Sequence, residues 1–394
     1  MKVNAILAAA ALGATAVSAA GRSKMEETME LKTKQWDDAR AAGLFGGSKL
    51  YPKKTSKKVC KKGKADDTYL CNKIDMHGFL SHEDLGSVEF KMGNDIWGWT
   101  SKTGREFGIV GQRDGVAFVE VVAGGKLEYI GRLDTHTTAV SWRDIKVIDH
   151  HAYIGSEAEG HGIQIFDLEK LEKVKPWWNP FFWKPKHFTL EDQTAHFDGV
   201  GATHNIVAHP ETKMIYAVGG RSGQNARDTP CAGGMFMVDV SNPAKPYSPG
   251  CIAQDGYVHD AQCVIYTGPT EKYRGREICF NYNEDTLTVM DVTDKKNPVV
   301  VSTTPYVGNE YTHQGWLIDD TMTFLLLDDE QDELNKVGPA ANGHTTTYIF
   351  NVTNLEAPVN TGFYQSPTKS IDHNLYVSFS SYPAMLCSPY DQRN

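Results

Sequence analysis

Short β-rich runs of apolar residues recur between residues 90 and 380, and polar turns separate them. One kind of run closes on an acidic or amide residue, as in QIFDL (164–168), FMVDV (236–240) and YIFNV (348–352). The closing residues lie 47 to 72 residues apart and are Glu120, Asp167, Asp239, Asp291 and Asn351. Such runs predict β-strands. Their spacing is typical of a β-propeller, in which each repeat of about fifty residues forms one four-stranded blade.

A second kind of run begins with a polar pair and opens the repeats. These runs are WRDIKV (142–147), THNIVAH (203–209), YVHDAQCVIY (257–266), THQGWLI (312–318) and DHNLYV (372–377). Together the runs predict an all-β fold, namely a β-propeller with five complete four-stranded blades and the innermost strand of a truncated sixth. A helical pattern over 24–42, with Met25, Met29 and Trp36 along one side, predicts a short N-terminal helix packed on the outside of the propeller.

The polar pairs are expected at one mouth of the central channel. The first strand of a blade is innermost, and antiparallel pairing puts its start on the same face as the loop between strands two and three. Those loops carry acidic residues and histidine, as in SEAEGHG (156–162) and LDDEQDEL (327–334), whereas the turns on the opposite face are short and contain proline. The candidate binding residues at this mouth are Asp144, His204, His259, Asp260, His313, Asp372 and His373.

Three interpretations of this face remain open. In the first, each polar pair caps its strand and hydrogen-bonds its neighbours around the channel, so that the repeat is architecture. In the second, imidazoles and carboxylates bind a divalent transition metal, or a loop of carboxylates binds Ca²⁺. The metal-ligand candidates are His204, His259, His313, His373, Asp328, Asp329 and Glu330. In the third, the ring of His and Asp residues serves a metal-dependent hydrolase or lyase, with a histidine as the base.

The N-terminal segment and the cysteines indicate export. Residues 1–20 combine a lysine, an apolar stretch and small residues before a cleavage pattern, which predicts a secretory signal peptide and a secreted, extracellular protein. No later segment is apolar enough to predict a transmembrane helix.

The cysteines are predicted to form disulfides, as cysteines do in an oxidising compartment. Their spacing in the sequence suggests three pairs and leaves Cys387 unpaired. These pairs are Cys60 with Cys71, Cys231 with Cys251, and Cys263 with Cys279. Asn351 begins a glycosylation sequon, Asn-Val-Thr.

Charge narrows the class of partner. The net charge is −9, although the segment 53–64 contains seven lysines, so the remainder of the chain is strongly acidic. This balance argues against nucleic acid as a partner of the main domain. The partner is expected to be a protein or a carbohydrate, and the aromatic segment PWWNPFFW (176–183) could stack on sugar rings if it is exposed.

Long motifs of this sequence resemble a known family. NDIWGW, GHGIQIFDL, DGYVHDAQC, GREICFNYNEDTLTVMDVTDKKNP, LLLDDEQDEL and DHNLYV are similar to motifs of the choice-of-anchor B family of exported LVIVD-repeat β-propellers, over residues 60 to 377. The resemblance implies an exported or surface-attached protein and carries no established activity. It also implies further strands after DHNLYV, where this sequence runs SFSSYPAMLCSPYDQRN and ends. We therefore expect a signal peptide (1–20), an N-terminal extension (21–88) and a propeller (89–394) that acts as a binding or interaction module.

Overall fold

The computed structural model of the protein describes residues 24–67, 69–88, 91–175, 183–220, 231, 233–378 and 384–390. These residues form a β-propeller, as the repeats predict, with five complete antiparallel blades and a two-stranded sixth sheet. The predicted signal peptide lies outside the described residues. No helix in the described part is long and apolar enough to cross a lipid bilayer.

The blades follow one another along the chain, and each runs outward from the channel. Before the propeller come helix α1 (Lys24–Ala41) and the small hairpin of β1 (Lys64–Ala65) and β2 (Tyr69–Leu70). Blade one consists of β3 (Gly93–Thr100), β4 (Glu106–Gln112), β5 (Gly115–Val122) and β6 (Lys126–Asp134). Blade two begins with β7 (Arg143–Ile148), β8 (His151–Ser156) and β9 (Ile163–Asp167). Then come helix α2 (Glu169–Val174), β10 (Lys186–Phe188) and the outermost strand of blade two, β11 (Ala195–Phe197).

The remaining blades have a regular order of four strands. Blade three consists of β12 (Asn205–His209), β13 (Met214–Val218), β14 (Met235–Asp239) and β15 (Tyr247–Ile252). Blade four consists of β16 (Asp260–Ile265), β17 (Glu277–Tyr282), β18 (Leu287–Asp291) and β19 (Val299–Thr304). Blade five consists of β20 (Thr312–Leu317), β21 (Phe324–Asp329), β22 (Thr346–Asn351) and β23 (Val359–Gln365), with the short helix α3 (Asp332–Asn335) between β21 and β22. The sixth sheet consists of β24 (Ile371–Ser378) and β25 (Ala384–Tyr390). Short 3₁₀ helices span Gly47–Lys49, Leu190–Asp192, Glu271–Tyr273 and Gly338–Asn342.

The hydrophobic core is divided among the junctions between blades. Phe118 of blade one packs in one cluster with Ile154 and Phe166 of blade two, and similar clusters join blades two and three, three and four, and four and five. Burial of these faces drives the stacking of the blades, because a single sheet cannot bury its own apolar face.

In blades two to five the residue that closes the third strand stabilises the turn that follows it, whereas Glu120 of blade one binds Arg105 and Lys175. Asp167 Oδ1 accepts a hydrogen bond from the Glu169 amide at 2.9 Å, and Asp239 and Asn351 accept one from the amide two residues later at the same distance. Asp291 does the same at 3.1 Å. The short acidic or amide side chain is thus retained at this position because it forms an Asx turn.

Blade two differs from the regular order of the other blades. Helix α2 and β10 follow β9, and β11 then returns to pair with β9 as the fourth strand of the blade. Strand β10 instead pairs in parallel with β6 at the edge of blade one. Gly131 permits this approach, since a Cβ atom there would lie 2.1 Å from the Lys186 carbonyl oxygen. The sixth sheet also differs from the prediction, because it has two strands and not one.

All three predicted disulfide pairs are present. Cys60 bonds Cys71, Cys231 bonds Cys251, and Cys263 bonds Cys279. Cys263 and Cys279 face each other in the register of β16 and β17, with their Cα atoms 4.0 Å apart. The symmetric spacing of these two cysteines in the sequence therefore reflects a hairpin. Cys387 lies in β25.

Candidate functional site

The second member of most polar pairs links one inner strand to the next. Asp144 Oδ2 accepts a hydrogen bond from the Ile206 amide at 2.6 Å, and Asn205 Nδ2 donates to the His259 carbonyl oxygen at 3.0 Å. Gln314 Oε1 accepts from the Leu375 amide at 2.5 Å. These bonds satisfy backbone groups that face the channel and hold successive blades in register. This part of the repeated pattern is therefore architecture.

The first member of each pair is a histidine in blades three, four and five and in the sixth sheet, and these four rings lie side by side. The ring centroids of His204 and His259 are 4.4 Å apart, those of His259 and His313 are 3.9 Å apart, and those of His313 and His373 are 5.0 Å apart. In blade two the buried Arg143 takes this position and binds the Gln112 carbonyl oxygen, His161 and Thr135. The four imidazoles, which we call the histidine row, line one side of the channel mouth.

The histidine row is buried, and three of its four imidazoles have lowered pKa values. Burial, with the neighbouring imidazoles, lowers the pKa of His259 and His313 well below the ordinary value, and burial lowers that of His373 to about 4. His259 Nδ1 lies 2.9 Å from the His313 carbonyl oxygen, and His204 Nδ1 contacts Glu157. An imidazole with so low a pKa is a weak base. His259, His313 and His373 are therefore poorly suited to the general-base role in the hydrolase interpretation.

Helix α1 lies across the channel mouth. Its Lys32 forms an ion pair with the buried Glu330, whose other carboxylate oxygen is 3.6 Å from His313 Nε2. Met29 is buried among Tyr311, Trp142 and Tyr257. Met29 and Trp36 of the predicted apolar stripe thus pack against the propeller, but at its mouth and above the histidine row.

The three consecutive acidic residues proposed as metal ligands point to different partners. Asp329 accepts hydrogen bonds from the amides of Glu310 and Tyr311, both at 2.8 Å, and from the Tyr306 hydroxyl at 2.9 Å. Glu330 pairs with Lys32. Asp328 is fully buried, and burial together with the charge of Asp372 raises its pKa well above the ordinary value. The three carboxylates therefore do not converge on one point.

Asp372 belongs to a group of buried carboxyls between blade five and the sixth sheet, not to the mouth. Its Oδ2 accepts a hydrogen bond from the Thr347 hydroxyl at 3.2 Å. Burial raises the pKa of Asp372 to about 6. Burial together with the charge on Asp329 raises the pKa of Asp332 to about 8. Burial, together with Asp372 and Asp332, raises the pKa of Glu333 to about 12. These carboxyls are held close together, and burial favours their protonated forms.

A cavity of about 920 Å³ extends from the channel into the cleft between blade one and the sixth sheet. One wall is aromatic, and Trp97 meets Tyr376 across the cleft with ring centroids 5.8 Å apart. Its polar lining residues come from α1, from all six inner strands or the residues just before them, and from the start of β4. They are Lys32, Asn94, Asp95, Thr100, Glu106, Asp144, Lys146, His204, Asn205, Asp260, His313, His373 and Asn374. The cavity therefore contains five of the seven residues predicted at the mouth, and it adds a cleft that the sequence did not indicate.

Asp95 and Lys146 are the main site residues that sequence reasoning missed. Lys146 Nζ donates to both oxygens of Asp144, at 2.7 and 2.9 Å, and lies 4.7 Å from the centre of the Trp97 ring. Asp95 occupies the position in β3 that Asp144 has in β7, and its Oδ2 accepts a hydrogen bond from the Ile145 amide at 2.9 Å. The equivalence of NDI in blade one to RDI in blade two was the signal that could have identified Asp95.

The carboxyls of Asp95 and Asp144 are hydrogen-bonded to each other. Burial and the charge of Asp144 raise the pKa of Asp95 to about 8. The pKa of Asp144 is lowered, because Lys146 and the Asp95 hydrogen bond outweigh the opposing effect of burial. At neutral pH Asp95 is therefore the proton donor and Asp144 the ionised acceptor. Burial raises the pKa of the nearby Asp260 to about 7.

Two further predicted features lie away from this cavity. Asn351 ends β22, and its side-chain oxygen caps the following turn, so glycosylation there stays a prediction. Residues 176–182 of the aromatic segment lie outside the described residues. Trp183 is described, and it packs against the core cluster of blades one and two.

Comparison with known proteins adds the following. No protein-family model and no curated protein matches this chain. Among solved structures, the chain is similar to a functionally unknown protein from Desulfotomaculum acetoxidans DSM 771, with 10% sequence identity and a TM-score of 0.47, over 74% of this chain and 73% of that one. It is also similar to a chain described as the outer coat vertex of COPII on membranes, with 10% identity and a TM-score of 0.44, over 75% of this chain and 69% of that one.

Proposed function

We propose that this protein is an extracellular binding module that holds a neutral polyhydroxylated ligand, of the carbohydrate class, in the cavity between blade one and the sixth sheet. The observation that carries the proposal is the cavity of about 920 Å³ in which an aromatic wall faces hydrogen-bonding side chains from the inner strands. Small-molecule sites are concave, occupy roughly 300–1,000 Å³, and combine apolar walls with a few placed polar groups.

The charges of Asp95, Asp144 and Lys146 balance one another in the cavity, which favours a neutral ligand. Asp144 and Lys146 neutralise each other, and the raised pKa of Asp95 keeps that carboxyl protonated at neutral pH. Carboxyl, amide and ammonium groups offer both donors and acceptors, which the hydroxyls of a sugar match. The C–H face of a sugar ring suits an aromatic wall such as Trp97 and Tyr376.

The test is to measure binding of neutral mono- and disaccharides to the full chain by saturation-transfer NMR and calorimetry. We expect Trp97→Leu and Asn374→Ala to weaken binding by more than about tenfold, the loss that follows from about 1.4 kcal/mol of lost contact energy. Tyr364→Leu is the matched control, because Tyr364 is an exposed aromatic residue outside the cavity lining. Absence of sugar binding, or equal binding by the cavity variants, would overturn the proposal.

A second candidate function is hydrolysis in the same cavity. The observation that favours it is the hydrogen-bonded pair of Asp95 and Asp144, whose environments push their pKa values apart. In that reaction Asp95 would donate its proton to the carbonyl oxygen of the substrate, and the attacking water would return a proton to the hydrogen-bonded pair. Glycosidase carboxyls stand about 5 Å or more apart, so the directly bonded pair favours a carbonyl substrate. Turnover of fluorogenic ester or peptide substrates, abolished by Asp95→Asn, would support this alternative over simple binding.

Location and family form part of the same proposal. The three disulfides, with no membrane-spanning helix in the described part of the chain, fit an extracellular protein. We propose that residues 1–20 are its secretory signal and that the chain is a choice-of-anchor B-like propeller. N-terminal sequencing of the secreted protein tests the first point, since it should begin after residue 20 or close to it.

A further inference from the structure

Two consecutive histidines in blade two lie beside the carboxylate that closes its third strand. His150 stands in the turn after β7, His151 begins β8, and Asp167 ends β9. His151 faces Asp167 directly in the antiparallel register, and the Leu168 amide donates to the His150 carbonyl oxygen at 2.8 Å. The two imidazole centroids are 4.4 Å apart. Backbone pairing therefore holds all three residues together.

The side-chain atoms of these residues form a compact set of metal-ligand donors. Within the described ranges, this is the one group of three His, Cys, Asp or Glu residues whose ligand atoms all lie within 4.8 Å of one another. Asp167 uses Oδ1 to accept the Glu169 amide hydrogen, which fixes the carboxylate and leaves Oδ2 available. Such an outer hydrogen bond is a common way to orient a ligating carboxylate.

The propeller repeat does not account for the histidine pair. Blades three, four and five also place an Asp or Asn at the end of the third strand to cap a turn, so this feature of Asp167 is shared. The corresponding turn of blade three reads PETK (210–213) and that of blade five reads DDTM (319–322), without histidine. His150 and His151 are therefore an addition specific to blade two.

We propose that His150, His151 and Asp167 form a binding site for a divalent transition metal of the Zn²⁺ class. Two imidazole nitrogens and one carboxylate oxygen suit Zn²⁺, Co²⁺, Ni²⁺ or Cu²⁺, whereas Ca²⁺ and Mg²⁺ prefer oxygen ligands alone. Three protein ligands leave at least one position for water or for a group of a bound partner. Strand β7 runs from the channel mouth to this turn, so the site lies on the opposite face and is independent of the cavity.

The surrounding charges leave the site open to a cation. Lys213 binds Asp149 at 2.8 and 2.9 Å, and Lys102 binds Glu169 at 2.9 Å, so each lysine is engaged by a carboxylate of its own.

The proposal is tested by titrating the full chain, prepared without a polyhistidine tag, with Zn²⁺ in a calorimeter and with Co²⁺ in an absorption spectrometer. We expect one metal per chain and d–d bands typical of Co²⁺ with nitrogen and oxygen ligands. His150→Gln and Asp167→Asn should each weaken binding by about tenfold or more, since even the loss of an outer hydrogen-bonding partner costs roughly 10- to 100-fold. His187→Gln is the matched control, because His187 pairs with Asp134 at an exposed site.

The results of these titrations distinguish metal binding at His150, His151 and Asp167 from metal binding at the histidine row. Absence of stoichiometric Zn²⁺ binding, or binding that both variants leave unchanged, overturns the proposal. Binding that is lost in His259→Ala and retained in His150→Gln assigns the metal to the histidine row and also overturns it. His150 is only partly buried and lies in a turn, so its variant keeps the test valid if the Asp167 variant fails to fold.

Discussion

At the scale of single residues, the two members of each polar pair have different physical roles. His259, His313 and His373 pack ring against ring with lowered pKa values. Asp144, Asn205 and Gln314 instead hydrogen-bond the backbone of the next inner strand. Asp95 adds a third behaviour, because it also shares a proton with Asp144. This pair links the architecture of the channel to its candidate chemistry.

Replacement of Asp95 by asparagine should remove a pH dependence of stability. The folded pKa of Asp95 is about 8, and an exposed Asp in the unfolded chain titrates near 4. Folding thus favours the protonated carboxyl. The stabilisation that protonated Asp95 gives the folded state is fully present below about pH 4, and it is lost as the pH rises toward 8. In Asp95→Asn the amide donates to Asp144 at every pH. Urea denaturation measures the free energy of unfolding of both proteins. We expect the value for the variant to lie within about 1 kcal/mol of the parent's at pH 5 and to be larger than the parent's at pH 9.

Asp144→Asn is the informative comparison for that experiment. Asp144 is the buried partner of Lys146, so its neutralisation leaves a buried ammonium group unpaired and should cost roughly 3–5 kcal/mol. If the two asparagine variants behaved alike at both pH values, the assignment of the proton to Asp95 would be wrong.

At the scale of elements, helix α1 depends on one buried ion pair at the mouth. The side chains of Lys32 and Glu330 are 17% and 4% exposed. Lys32→Met should leave the Glu330 carboxylate buried without its cation and lower the free energy of unfolding by roughly 3 kcal/mol. In the double variant with Glu330→Gln much of this loss should disappear, because no uncompensated charge remains. Urea denaturation of the four proteins of this double-mutant cycle measures the coupling.

Lys34 offers a control on the same helix. It pairs with Asp38 at 3.2 Å, and both side chains are more than 70% exposed, so Lys34→Met should change stability by less than about 0.5 kcal/mol. Equal effects of the two lysine substitutions would indicate that α1 is not docked on the mouth.

The sequence predicted the elements better than their partners. Strands such as MIYAV and LTVMD were predictable because a buried propeller strand is a continuous apolar run between turns, and Cys263 and Cys279 were predictable because a hairpin mirrors its two strands. The return of β11 to blade two was not predictable from the sequence. Helix α2 and β10 intervene, and no local pattern specifies which sheet edge a three-residue strand will join. The cleft and the proton shared by Asp95 and Asp144 also depend on residues about fifty positions apart, and only folding brings them together.

At the scale of the whole molecule, side-chain to backbone hydrogen bonds join each inner strand to the next around the channel. The acceptors and donors that make these links are Asn94 and Asp95 between blades one and two, Asp144 between two and three, Asn205 between three and four, Gln262 between four and five, and Gln314 between five and the sixth sheet. Burial of apolar faces supplies most of the stability of the junctions, and these bonds fix the register of one blade against the next.

Loss of one link should loosen one junction and leave the others intact. Gln314→Met keeps the length of the side chain but removes the acceptor of the Leu375 amide, which would remain buried and unpaired at a cost of roughly 1–3 kcal/mol. Because β24 pairs with a single described strand, we expect faster amide hydrogen exchange in the sixth sheet and unchanged protection in blades one to three. Gln262→Met, the equivalent change at the previous junction, should instead expose the Leu317 amide. Faster exchange throughout the molecule in both variants would mean that the blades unfold as one unit and that the links do not act locally.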